Sequence, residues 1–267
     1  MGTGRVGRTA IGLFDAVFRP SRFVQASNVA GGTLSWNSLS RLKSLLVVFL
    51  ANVVLYATPL TLSGYGVAVE TRAPSWFVPI ANATLGDPVT AWRLFAGIAQ
   101  NSAFLIALSA VTLLTYHLAL VATRSSEGLL LTVHTVVYSV SAYLAGIFTV
   151  LVFLSRAPGF ETARSLVVDL QVQFITVFYD LFSVPESRRV FSAEEPVSLV
   201  QLTSNETAIL AVLIALVLYF VYSMYLGARL NHGAGVTSAT LSLLAVGLSP
   251  AVYVAILLVY STGGISL

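Results

Sequence analysis

The chain has no cysteine among its 267 residues, so disulfides, thiolate nucleophiles and cysteine-held metals are excluded outright. Charge is scarce as well: 9% of residues are Asp, Glu, Lys or Arg, where a soluble domain carries about 25%. Lysine occurs once, as Lys43 at the threshold of an apolar run, which leaves no membrane-buried amine for a Schiff base. The net charge of +3 is small and scattered, and no nucleic-acid partner is expected. Neither a G-x-x-x-x-G-K-[ST] phosphate loop nor a G-x-S-x-G nucleophile elbow occurs, and the stretch "GTGRVG" near the amino terminus has no strand before it.

What is present is hydrocarbon. Hydrophobic residues make up 57% of the chain, and charges withdraw from Ser44 to Val69, Leu94 to Thr123, Gly128 to Ser155, Thr207 to Ala228 and everything after Arg229. Each gap exceeds the roughly 20 residues a helix needs to cross a bilayer. The runs are apolar around their whole circumference, unlike the helices of a soluble bundle, and they lack the alternation of a transmembrane barrel. The predicted fold is an all-α polytopic bundle in the cell membrane with five spans, at 44–64, 99–121, 133–154, 208–227 and 238–260. Residues 1–43 form a basic arm, 44–260 the membrane domain, and 261–267 a short tail. Pro59 and Pro250 are expected to kink or break their helices.

Sidedness follows from Arg and Lys near the short connections. The arm carries Arg5, Arg8, Arg19, Arg22, Arg41 and Lys43 against Asp15 alone, which predicts a cytoplasmic amino terminus and an external carboxyl terminus. No apolar run follows the start directly, so a removable signal peptide is not expected and the first span is taken to direct insertion. The 155–207 loop is then external. So are the triplets at Asn82 and Asn205, which match the glycan-acceptor pattern.

Within the arm, "LFDAVFRPSRFVQA" spaces its aromatics helically beside Arg19, Arg22 and Phe23. With Arg41 and Lys43 these residues form a candidate lipid interface; a helix covering the bundle mouth is the other reading. In the long loop, residues 164–182 place Leu166, Leu170, Phe174, Val177, Phe178 and Leu181 on one stripe, which predicts an amphipathic helix packed over the bundle or membrane. "SVPESRRVFSAEEPV" after it reads as an irregular excursion.

Three histidines and one acid gather toward the predicted inner face: His117, Glu127, His134 and His232, with Arg229 beside them. They are the only notable constellation for acid-base or metal chemistry. No H-E-x-x-H motif accompanies them, so helix-end hydrogen bonding is the plainer reading, and no cofactor is expected. Asn52, Tyr138 and Tyr143 offer a candidate polar lining, or hydrogen bonds between helices. Ala103 with Ala107, Ala142 with Gly146, and Ala251 with Ala255 form small-x-x-x-small pairs, suited to close packing within the chain or to an oligomer face.

The stretches "FDAVFRPSRF", "YHLALVATRSSEGLLLTVHTVVYSVSAYLAG" and "YFVYSMYLGARLNHGAGVTSATLSLLAV" resemble the Yip family of five-span membrane proteins, in its prokaryotic branch. Pro20 and Phe23 match the segment leading into the first span. Tyr138, Ala142 and Gly146 match the third span, and Gly227, Arg229, His232, Gly233 and Ala239 the final hairpin. The resemblance implies a cytoplasmic amino terminus and an external or lumenal carboxyl terminus. Some eukaryotic members associate with small GTPases, a role not carried to these residues because the arm is short. The long 155–207 loop is a second departure. The function expected is a non-enzymatic membrane scaffold or accessory subunit that binds lipids and protein partners or a second copy. An oligomeric channel or facilitator is the alternative, and a membrane-embedded enzyme the third.

Overall fold

The computed structural model describes residues 36–62, 72–84, 86–154, 172–189 and 204–261, all of them helix or connection. In chain order the helices are α1 (Trp36–Leu62), α2 (Phe77–Thr84), α3 (Pro88–Ala122), α4 (Leu129–Leu154), α5 (Val172–Leu181), α6 (Ser204–Asn231), α7 (Val236–Gly247) and α8 (Ser249–Ser261). Four of them, α1, α3, α4 and α6, are long and apolar enough to cross a membrane; the bent pair α7 and α8 makes a fifth if it is taken as one span. The chain has the architecture of a multi-pass, all-helical membrane protein.

In hydrocarbon every backbone donor needs an internal partner, which is why charge-free runs become helices. Hydroxyls within these helices follow the same rule: Thr58, Thr61, Thr135 and Ser242 each donate to the carbonyl four residues back, at 2.8 to 3.0 Å.

Helix starts differ from the sequence expectation, most of all in α3, which begins eleven residues earlier than 99. The cause is a cap. Asp87 accepts the backbone N–H of Thr90 at 3.1 Å and of Val89 at 3.3 Å, and the Thr90 hydroxyl at 2.6 Å, while Pro88 occupies the first helical position. These bonds, that of the Thr90 hydroxyl first, hold the Asp87 carboxyl below its ordinary range. At its other end α3 closes with Arg124 in the left-handed region (φ 55°), as the Ser125 N–H reaches Leu120 O at 2.8 Å.

The predicted fifth span is two helices bent by 41° at Leu248. Pro250 lies two residues on; it has no N–H for the carbonyl of Val246, and its ring crowds that carbonyl. Pro59, by contrast, sits inside α1 near its end. Both glycan-type triplets fall in helices, Asn82 in α2 and Asn205 in α6.

The chain divides into two compact units. The first takes in the described residues up to Ala51, Ser109–Gly146 and Ile214–Ser249; the second takes in Asn52–Leu108, Ile147–Leu213 and the described residues from Pro250. The core of the first is Tyr116, Leu120, Val136, Met224, Ala228, Ala234 and Ala239. The second buries Ile175, Tyr179, Val184 and Val254, with Phe104 and Phe178 packed against them.

In the second unit α5 corrects the expected phase of its stripe. Val172, Ile175 and Tyr179 face the core, while Phe174, Val177 and Leu181 are exposed. Both faces of this helix are apolar, and the i, i+3, i+7 set containing Tyr179 is the one that finds partners. Beyond its end Arg189 donates to Val184 O at 3.0 Å and pairs with Asp180 at 2.8 Å, with its guanidinium 5.9 Å from the centre of the Tyr179 ring.

Candidate functional site

The polar interior of the first unit is built on α4. Thr132, Thr135 and Ser139 recur at i, i+3 and i+7 and so share a helix face, with Tyr138 beside them. α6 presents the complementary set Asn231, Gly227, Ser223 and Tyr219. Asn231 Nδ2 donates to Thr135 Oγ1 at 2.9 Å; the Ser139 and Ser223 hydroxyls lie 2.7 Å apart; the Tyr138 and Tyr219 hydroxyls share a bond of 2.7 Å. Thr135 meets Asn231, and about a turn further along α4 Tyr138 and Ser139 meet Tyr219 and Ser223, two to three turns earlier on α6, so the two segments run antiparallel along a hydrogen-bonded seam.

Gly227 sets the approach at the middle of that seam. A Cβ there would overlap the Thr135 methyl and come within 2.7 Å of the Thr135 hydroxyl oxygen. Thr135 is fully buried, donates to Leu131 O at 3.0 Å and accepts from Asn231, so it has no room to turn away. Further along, Gly146 leaves space that the Leu216 side chain fills. α3 joins through the Tyr116 hydroxyl, which donates to Met224 O at 2.7 Å, and through Thr115, whose hydroxyl meets that of Ser249 at 2.8 Å.

At the end of the seam lies the histidine cluster. Gly233, in the left-handed region (φ 60°), turns the chain out of α6, and Arg229 closes the turn by donating to Ala234 O at 2.7 Å. His232, in this turn, is 2% exposed. Its Nδ1 accepts the backbone N–H of Glu127 at 3.0 Å, and its Nε2 lies 3.4 Å from Thr132 Oγ1; His117 Nδ1 lies 2.9 Å from the same oxygen. An acceptor Nδ1 requires a neutral ring with its proton on Nε2. The bonds can then run in one sense, from Glu127 N–H to His232, from His232 to Thr132, and from Thr132 to His117. Burial first, and the neighbouring His117 second, push the His232 pKa down to about 4.

The structure thus brings together His117, His232 and the main chain of Glu127, with Thr132 as the bridge. The Glu127 residue is exposed, Arg229 serves the turn, and His134 is half-buried on α4. Among the described residues no group of three His, Asp or Glu is placed to hold a metal. Of the candidate lining, Tyr138 bonds Tyr219 and Tyr143 packs tilted against Phe220, ring centres 5.8 Å apart, in the first unit, whereas Asn52 belongs to the second. Ala142, Ala251 and Ala255 are half-buried, and Ala103 and Ala107 are exposed. Lys43 is exposed on α1, which also contains Arg41; Arg19, Arg22 and Phe23 lie outside the described residues.

Thr132, Ser139, Ser223 and Asn231 were not singled out by sequence reasoning. Neither was Asn101, which is buried in α3 of the second unit and donates to Thr61 Oγ1 at 2.9 Å. Their common signal is a polar residue at helical spacing inside a charge-free run. No protein-family model, curated protein or solved structure matches the chain.

Proposed function

We propose that this protein is a non-enzymatic membrane scaffold or accessory subunit of five spans, with α7 and α8 together forming the fifth. Its amino terminus is cytoplasmic, its carboxyl terminus external, and it works by presenting helix faces to protein partners or a second copy. The supporting observation is how its interior polar groups are used: the α4–α6 seam joins Thr135 to Asn231, Ser139 to Ser223 and Tyr138 to Tyr219. A solute path would need the Tyr138 and Tyr143 side chains open to it, and a reaction centre would need the Glu127 carboxylate beside the histidines. The outward Ala103 and Ala107 of α3 offer a close-approach face.

Orientation rests on charge. The arm and the two connections assigned inside hold eight basic residues against Asp15 and Glu127. The resemblance of the leader, third span and final hairpin to the Yip family implies the same sidedness.

The test is purification in mild detergent, then crosslinking and mass analysis. A reproducible partner or homo-oligomer supports the reading; a monomer free of specific protein or lipid overturns it. Reconstituted vesicles that pass a solute only when the protein is present would favour the channel instead.

A further inference from the structure

In the second unit α2 and the start of α3 form a short helical hairpin. α2 has eight residues, about 12 Å of helix, and Pro88–Phe95 has the same length. The end of α2 joins the start of α3 across residues 85–87, while its beginning meets the second and third turns of α3. Phe77 and Trp92 have ring centres 5.2 Å apart, Trp76 and Phe77 5.7 Å, Trp76 and Trp92 6.0 Å, and Trp92 and Phe95 6.3 Å. The two helices therefore lie side by side and antiparallel. The hairpin tip carries Thr84, Gly86, Asp87 and Thr90, all exposed.

The aromatic layer has two faces. Phe77 is buried and anchors α2 to α3, whereas Trp76 and Phe95 are about 60% exposed and Ile80 beside them 54%. The layer sits at a boundary in the sequence: Arg93 is the last charge before the charge-free run from Leu94 to Thr123. Following α3 from the tip, the order is a carboxylate cap, then tryptophan and arginine, then hydrocarbon. α3 is about 52 Å long at 1.5 Å per residue, well beyond the roughly 30 Å of a bilayer core. Part of it must tilt or stand out of the oil, and the polar tip is the end suited to water.

We infer that the exposed side of this layer, Trp76, Ile80 and Phe95 with Trp92 behind them, is a lipid-docking surface that seats at the headgroup–acyl boundary of one leaflet and sets the depth of α3. The occupant is the bilayer interface, because the patch continues without a charged residue into the membrane-crossing part of the same helix, and because tryptophan with flanking arginine suits that depth. Trp76, Phe77 and Trp92 pack edge to face, and Phe95 lies tilted at 31° against Phe77 and Trp92. This inference does not depend on the scaffold reading.

The chain has three tryptophans, so Trp36→Phe leaves emission from Trp76 and Trp92 alone. The whole protein in this form is reconstituted into phosphatidylcholine vesicles brominated either high on the acyl chain or near its end, and aqueous iodide is tested separately. The expected result is a larger loss of emission with the shallow bromine than with the deep one, and weak iodide quenching. Phe95→Ser, at an exposed ring, should keep the helical circular dichroism and raise iodide quenching. Three results overturn the inference. Strong iodide quenching with neither bromine effective puts the layer in water; shielding from all three quenchers means that protein covers it; and stronger quenching by the deep bromine puts the hairpin within the oil.

Discussion

Acidification should loosen the turn between α6 and α7, and the effect can be isolated to one ring. His232 lies just beyond the last residue of α6, buried, with Nδ1 accepting the Glu127 N–H at 3.0 Å. A proton placed on Nδ1 would set N–H against N–H and put a charge beside His117. Arg229 on α6 and Arg124 on the α3–α4 connection are exposed and positively charged, so neither offsets the charge of an added proton. The folded chain therefore binds this proton more weakly than the unfolded chain, with a pKa of about 4 against 6.5. Unfolding takes up the proton as pH falls below the unfolded value, so stability is full above about pH 6.5, declines down to about pH 4, and levels off below that. The span of that decline corresponds to about 3 kcal/mol.

The control is His232→Gln, whose amide oxygen can accept the Glu127 N–H and whose NH2 can face Thr132, without titrating. Reversible denaturation in mixed micelles, followed by far-ultraviolet circular dichroism at a series of pH values, gives wild-type minus variant stability. That difference should shift against the wild type by about 3 kcal/mol between neutral pH and pH 4. Subtraction removes the contributions of the carboxylates. A flat difference, or one that moves the opposite way, would refute the neutral acceptor ring.

The remaining tests concern local geometry. Gly227→Ala should destabilise by about 1 to 3 kcal/mol through collision with Thr135, and adding Thr135→Ala should recover part of that loss in a double-mutant cycle; simple additivity would mean that the helices do not meet there. Asp87→Ala should cost about 1 kcal/mol by uncapping α3, with Asp87→Asn costing less; thermal melts that rank the two variants equally would remove the cap from the account. Arg124→Gly should raise stability by about 1 kcal/mol, because only glycine occupies a φ of 55° without strain, and a lower melting temperature would contradict that.

The membrane-crossing character of the chain was legible because charge-free runs leave few alternatives in hydrocarbon. Boundaries were less so, and the misses share a cause. The span was expected to start at 99, inside the charge-free run, but a single arginine beside tryptophan does not stop a helix; the Asp87–Pro88 pair, also present in the sequence, is what starts it. In α5 both faces are apolar, so spacing alone could not say which one the core would take, and contact with Val184 and Val254 decided it. The histidines were visible as rare residues. Thr132, which joins His117 to His232, was not, because threonine is common in such helices and usually bonds its own backbone.

Packing in oil inverts the usual relation between hydrophobicity and burial. The apolar window of α4 is 61% buried against 17 to 28% for α1, α3 and α6, yet it is the least hydropathic of the four. In water the most apolar helix would occupy the centre. In a bilayer lipid solvates aliphatic side chains as well as a neighbouring helix does, so burial of Leu and Val gives no preference for one arrangement over another. Preference comes from groups that lipid cannot satisfy. α4 carries Thr132, Thr135, Tyr138 and Ser139 on consecutive turns, and each finds its partner on α3, α6 or the turn after α6. Interhelical bonds of this kind contribute only about 0.6 kcal/mol each, too little to dominate total stability but enough in series to fix register. A one-residue slip of α6 would turn Gly227 away from Thr135 and bring the Ala228 methyl toward it. The seam thus selects a single alignment through its hydrogen bonds and through Gly227, where a Cβ would collide with Thr135.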